Sequence, residues 1–170
     1  MRIASLLLLA SIGMMRAETA AGVHWTAPAS WKAQAARPMR AATYAVAAVA
    51  DDKEDGECGI YYFGSGKGGN VDENMKRWIG QFDPPQQDAQ PRKRTISGLN
   101  VTTIDLSGTY TGAGGPMATI KTIKPGYRLL GAIVEAPEGL LFIKFTAPVK
   151  TVAANQVNFE DLLKSLARDK

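Results

Sequence analysis

The amino-acid sequence predicts an α+β protein: a mainly antiparallel sheet of five to seven strands sandwiched by two amphipathic helices. Three observations carry that prediction. Short runs rich in β-branched and aromatic residues recur between turn residues, as in "ECGIYYFG", "YRLLGAIVEA" and "LLFIKFTA". Two segments have apolar residues at helical spacing. The last two strand-like runs are apolar on both faces, which requires cover above and below.

The elements follow in order. Residues 1–20, beginning "MRIASLLLLASIGMMRAETA", have a basic start at Arg2, an apolar run from Ile3 to Met15 and small residues around Ala17. This is the pattern of a cleaved export signal, and the run is too short for the roughly 20 residues of a membrane-spanning helix. The expected organisation is a signal peptide at 1–20 and one globular domain over 21–170. The expected location is secreted or periplasmic, with no stable transmembrane segment after processing.

In "VHWTAPASWKAQ", a short strand over Val23–Thr26 is followed by a turn at Pro28 that returns Trp31 to the sheet. Met39–Val49 and Glu57–Gly64 flank the polar "ADDKEDG" and read as a hairpin with a solvated tip. Val71, Met75, Trp78, Ile79 and Phe82 mark one face of a helix, with Asn70 as N-cap and Asp72 and Glu73 in its first turn. Asp83, Pro84 and Pro85 end it. Residues 83–94, "DPPQQDAQPRKR", read as a long exposed connection.

From Thr95 the β signal dominates. Strands are expected up to Tyr110, over "MATIKTI", and on either side of Pro137–Gly139; Gly108–Pro116 and Lys124–Gly126 read as turns. Val152, Phe159, Leu162, Leu163 and Leu166 define the second helix, over about 153–167.

Composition narrows function by exclusion. The 170 residues are 45% hydrophobic and 21% charged, as in ordinary globular domains. The formal charge of +4 falls to +2 without Arg2 and Arg16, and the one tight basic cluster, Arg92–Arg94, lacks interleaved aromatics. A nucleic-acid partner is therefore not expected. One cysteine, Cys58, and one histidine, His24, supply neither a disulfide nor a transition-metal site, and the sequence implies no cofactor. Cys58 alternates with Ile60 and Tyr62 and reads as a buried thiol. "DDKEDG" fails as a calcium loop at Lys53 and Tyr62. No catalytic constellation is legible.

The best candidate site is the glycine loop. Gly64, Gly66 and Gly69 have the spacing G-x-G-x-x-G. The preceding strand belongs to a hairpin rather than a parallel βαβ unit, so a dinucleotide fold does not follow. Asn70 and Val71 stand where a phosphate-binding P-loop needs lysine and a hydroxyl. There remains a generic anion- or partner-binding loop made by Gly64, Gly66, Lys67, Gly68, Gly69 and Asn70. Opposed to it is a plain bend whose glycines supply positive φ.

The aromatic-Pro-Trp corner "WTAPASW", the hairpin, the helix "VDENMKRWIGQF", the strand meander and the final helix "FEDLLKSLA" together resemble the α-β-α sandwich of the PsbP-like proteins. The resemblance spans most of residues 23–167 and rests on element order. It implies a non-catalytic extrinsic or assembly role; no binding residue of the family transfers to a numbered position. The glycine loop matches none of the family's motifs, and no lipid-attachment cysteine follows the apolar run.

The expected function is an exported non-catalytic binding or accessory protein of the periplasm or cell envelope, with an unidentified protein or small-molecule partner outside the cytoplasm. The alternative is a small secreted hydrolase using carboxylates or a Cys58/His24 pair.

Overall fold

The computed structural model describes residues 18–49, 51–113 and 122–170. The chain runs β1 (Glu18–Ala20), β2 (Val23–Trp25), β3 (Lys32–Ala33), β4 (Arg40–Val46), β5 (Gly56–Tyr62), α1 (Val71–Ile79), β6 (Phe82–Asp83) and β7 (Arg92–Ile96). It continues β8 (Leu99–Ala113), β9 (Thr122–Ala136), β10 (Gly139–Pro148), α2 (Val149–Ala154), α3 (Gln156–Lys164) and β11 (Ala167–Arg168). Eight strands form the main sheet in the order β3-β4-β5-β10-β9-β8-β6, with β7 paired to β8, and β1-β2-β11 form a small second sheet. Every strand pair among the described residues is antiparallel. No parallel crossover surrounds residues 59–82, so the glycine turn does not belong to a dinucleotide fold.

The pleat divides the core in two, because successive side chains point to opposite faces. On one face Cys58, Ile60, Leu130, Ala132, Val134, Leu141, Ile143 and Phe145 pack with Val23 and Trp25 of β2, Val152 of α2 and Phe159, Leu162 and Leu163 of α3. On the other, Leu129, Ile133 and Phe142 pack with Met75 and Trp78 of α1, and with Ile104, Leu106, Tyr110 and Tyr127. We call these the closed face and the open face.

Several expectations are corrected. The sheet exceeds five to seven strands because its edges are made of two-residue strands, too short to show alternation. Among the described residues there are three helices rather than two: the C-terminal segment breaks at Asn155, whose amide accepts from Trp31 Nε1 at 3.0 Å and donates to the Thr151 carbonyl at 3.0 Å. The small sheet shares the cover of the closed face with those two helices. Phe82 is a strand residue, since α1 ends at Ile79 and the Gln81 carbonyl accepts the Thr111 N–H at 2.7 Å, drawing the chain onto β8. Arg92–Arg94 lie in β7 rather than in a loop, and Arg94 forms a two-point ion pair with Glu160 of α3. Gly108–Ala113 continue β8, so the expected turn is not there; Gly114–Pro116 lie outside the described residues, as does most of "MATIKTI". Lys124–Gly126 do not break the chain, because β9 runs through them with a shift of register opposite Gly108–Tyr110.

The acidic hairpin tip is not merely solvated. Asp52 accepts from the N–H of Thr151 at 2.8 Å and from its hydroxyl at 2.6 Å, which caps α2, whose N-cap Pro148 offers no side-chain acceptor. Glu54 accepts from Lys124 and Tyr127 of β9, and both contacts hold its carboxyl below its ordinary value.

Of the expected signal segment, residues 1–17 lie outside the described residues, while Glu18–Ala20 form β1, paired with β2. Thr19 Oγ1 donates to Asp169 at 2.6 Å, which ties this strand to the end of the chain. Among the described residues, no helix is long and apolar enough to cross a membrane.

Candidate functional site

The glycine loop is shaped by its own backbone needs. Gly64, Gly66, Gly68 and Gly69 all have positive φ, from 67° to 100°, where a side chain would be strained. Gly68 has a further reason: a Cβ there would lie 3.0 Å from the Phe142 ring and 3.2 Å from Phe63. The Lys67 N–H closes a turn on the Gly64 carbonyl at 3.1 Å. Asn74, buried on α1, donates to the carbonyls of Gly68 and Asn70, both at 2.7 Å, and accepts from Arg77. Asn70 caps the helix, its side chain accepting the Glu73 N–H at 2.9 Å. The outer side of this helix start opens on a groove lined by Asp72, Glu73 and Glu135 together with Lys76 and Lys93. The six predicted loop residues thus form one ordered turn, with the Asn70 side chain engaged by the helix and a surface of mixed charge.

The sequence reading missed a second cluster, on the open face. Helix α1 covers the side of that face built from β8 and β9, with Trp78 lying on Gly131; a Cβ at 131 would come within 2.4 Å of its ring. Beyond it and beyond Phe142 of β10, which packs with α1, no helix lies over β4, β5 and the Lys144 end of β10 among the described residues. Glu57, Tyr61, Lys144 and Thr146 there are half-buried, whereas Cys58, Ile60, Ile143 and Phe145, which alternate with them, have no exposed surface.

This ledge has internal order. Arg40 and Arg37 donate to separate oxygens of Glu57, at 2.6 and 2.9 Å, and the Arg40 guanidinium stacks 4.9 Å from the centre of the Tyr61 ring. Tyr61 leans over Gly59, where a Cβ would lie 2.7 Å from its hydroxyl, and stacks on Phe63 at 6.4 Å. Lys144 stands between the two covered glycines: its register partners are Gly59 on β5 and Gly131 on β9. Its ammonium donates to Gln81 Oε1 at 2.5 Å and to the Tyr110 hydroxyl at 2.8 Å, both neutral acceptors. Burial lowers the Lys144 pKa to about 7, helped by the nearby positive charges of Arg77 and Arg40 and opposed by Glu57. Burial likewise raises the Tyr110 and Tyr61 hydroxyls above their ordinary range.

The ledge and the glycine loop adjoin. Gly68 packs on Phe63 and Phe142, Phe63 stacks on Tyr61, and Asn74 joins the loop carbonyls to Arg77. The only hint of Lys144 in the sequence is a lone basic residue in the apolar run "LLFIKFTA". Its glycine neighbours become visible only once strand register is known.

Cys58 and His24 are not brought together. Cys58 is fully buried on the closed face and burial raises its thiol pKa, which leaves no thiolate for chemistry. His24 lies between Val23 and Trp25, which point into that core, and its Nδ1 meets Asp169 at 3.0 Å on the outer side of β2.

No protein-family model matches the chain, and no curated protein matches it. Among solved structures it is similar to the solution structure of cyanobacterial PsbP (CyanoP) from Synechocystis sp. PCC 6803. That likeness has a TM-score of 0.53 and 14% identity, and covers 96% of this chain and 98% of the other. The chain therefore has a PsbP-like fold; identity at this level speaks to the fold alone.

Proposed function

We propose that this chain is a non-catalytic binding or accessory protein acting outside the cytoplasm, with the open-face ledge as its contact surface and the glycine loop as one rim. The observation that carries the reading is the half of the open face over β4, β5 and β10. A core-facing position would call for apolar residues there, as on the other side of the same strands; instead it carries an ordered array of Arg37, Arg40, Glu57, Tyr61 and Lys144. Aromatic and arginine side chains held in place by neighbours are the composition of a recognition surface rather than of a solvated one. The PsbP-like fold supports the same direction, since the resemblance implies accessory roles. The apolar start of the chain supports export, and the pairing of Glu18–Ala20 with β2 favours processing ahead of Glu18.

Native mass spectrometry of the protein recovered from its own source tests this reading. The expected species begins at or just before Glu18 and carries a bound partner or small molecule. Arg40→Glu removes that companion while the far-ultraviolet dichroism is unchanged, and Lys67→Glu weakens it. A companion retained by Arg40→Glu removes the ledge from consideration, and one retained by Lys67→Glu removes the loop.

A further inference from the structure

The ledge gathers basic side chains around too few carboxylates. Both oxygens of Glu57 are already taken by Arg37 and Arg40. Arg77 donates to the neutral Asn74 amide, and Lys144 to the neutral Gln81 and Tyr110. The groups facing Lys144 are Arg40 from β4, Glu57 and Tyr61 from β5, Arg77 from α1 and Tyr110 from β8. Glu57 is the one carboxylate among them, and it is spent.

An ammonium in this position is costly unless an anion meets it, because a half-buried charge loses hydration without gaining a counter-charge. The surroundings hold the amine rather than let it escape. Gly59 and Gly131 flank it in register, the rings of Tyr61 and Trp78 lie on those glycines, and the stem of Lys144 runs between them. Gln81 is itself fixed, its carbonyl accepting from the N–H and hydroxyl of Thr111 at 2.7 and 3.1 Å. Two of the three ammonium protons are thus directed at Gln81 and Tyr110, and the third has no partner among the described residues.

We propose that Lys144, in the positive field of Arg40 and Arg77, is the receptor for a single oxyanion, a carboxylate or phosphate. The proposal rests on reading the ledge as a binding surface. An oxyanion there completes the ammonium's third hydrogen bond, lies in the field of the neighbouring guanidinium groups, and supplies the missing negative charge. Binding and protonation are then linked: the anion favours the charged amine, and the charged amine favours the anion.

The test is a titration of the full processed chain with lysine carbons labelled, the Lys144 resonance being identified by its loss in Lys144→Met. The probes are acetate, inorganic phosphate and a short glutamate peptide, each compared with chloride at equal ionic strength, since screening alone moves exposed groups. The expected result is a Lys144 midpoint about one pH unit or more higher with the anion, which corresponds to about tenfold tighter binding to the charged amine. Arg77→Gln weakens anion binding about tenfold with the dichroism unchanged, and Lys144→Met, which keeps the stem volume, abolishes it. A peptide that saturates below acetate assigns the oxyanion to a protein side chain; equal saturation assigns it to a free small ion. An unmoved Lys144 midpoint with all three probes, or anion binding retained in Lys144→Met, overturns the proposal. Because Arg40→Glu reads the ledge itself through its companion, a ledge that fails and an oxyanion site that fails give different results.

Discussion

On one face of β5 and β10, Cys58, Ile60, Ile143 and Phe145 have no exposed surface; on the other, Glu57, Tyr61, Lys144 and Thr146 alternate with them and stay half-buried. The same strands therefore face two different solvents. The closed face is covered by two helices and a three-stranded sheet, so its residues are chosen for volume and apolarity. Among the described residues the open face has one nine-residue helix, which seals the part over β8, β9 and Phe142 and leaves the rest as a ledge. Stability is concentrated on the first face, and the ledge is where the sheet can carry charge and aromatic edges without unfolding the protein.

Three substitutions break or sharpen that comparison. Phe145→Ala removes a fully buried ring that packs against Trp31 at 5.2 Å and Phe159 at 6.3 Å. A loss of about 3 to 5 kcal/mol in urea unfolding is expected, with no effect on ledge binding in the folded protein. If the loss were under about 1 kcal/mol, the closed face would not be the seat of stability.

Lys144→Met acts in the opposite direction. The folded-state pKa of about 7 lies below the ordinary 10.5. Below pH 7 the lysine is charged in both folded and unfolded chains, and the folded chain bears the full cost of the half-buried ammonium. Between these values the unfolded chain binds more protons, so stability rises with pH; above 10.5 both are neutral and the cost is gone. The variant should therefore gain about 2 to 4 kcal/mol at pH 6, a gain that fades as pH approaches 10. Parallel unfolding of the two proteins at both pH values measures this difference, in which the shared buried tyrosines and thiol cancel. A gain independent of pH would mean that packing rather than charge explains it.

Asn74→Ala should have the smallest effect, about 1 to 2 kcal/mol, because it leaves the Gly68 and Asn70 carbonyls without their side-chain donor. Its value lies in locality: amide exchange should quicken in residues 64–70 and stay slow in β5. Uniform quickening would show that loop and strand open together.

Much of the fold was legible because alternation and helical spacing are properties of neighbouring residues. The β4–β5 hairpin, the β9–β10 hairpin, α1 and the burial of Cys58 follow from such local patterns. What was not legible depends on contacts between residues far apart in sequence. Arg92–Arg94 read as a loop because nothing local announces β8 and Glu160 as partners. "DDKEDG" read as a free tip because Thr151 is about a hundred residues away. Lys144 was lost within an apolar run for the same reason: its setting is made by Gly59, Gly131, Gln81 and Tyr110, and only the strand register assembles them. The glycine loop stood out because spacing is visible in one dimension, and its geometry now shows a bend held by Asn74.

The small sheet has a further consequence. It sets β1 and β11 on either side of β2, and Thr19 meets Asp169, so Glu18–Ala20 and Ala167–Asp169 lie on one patch backed by the closed-face core. Anything tethered at Thr19 or Asp169, whether a bead, a fluorophore or a cargo domain, is thereby placed across the sheet from Lys144. Immobilisation through those positions should present the ledge outward to whatever flows past, without a long spacer.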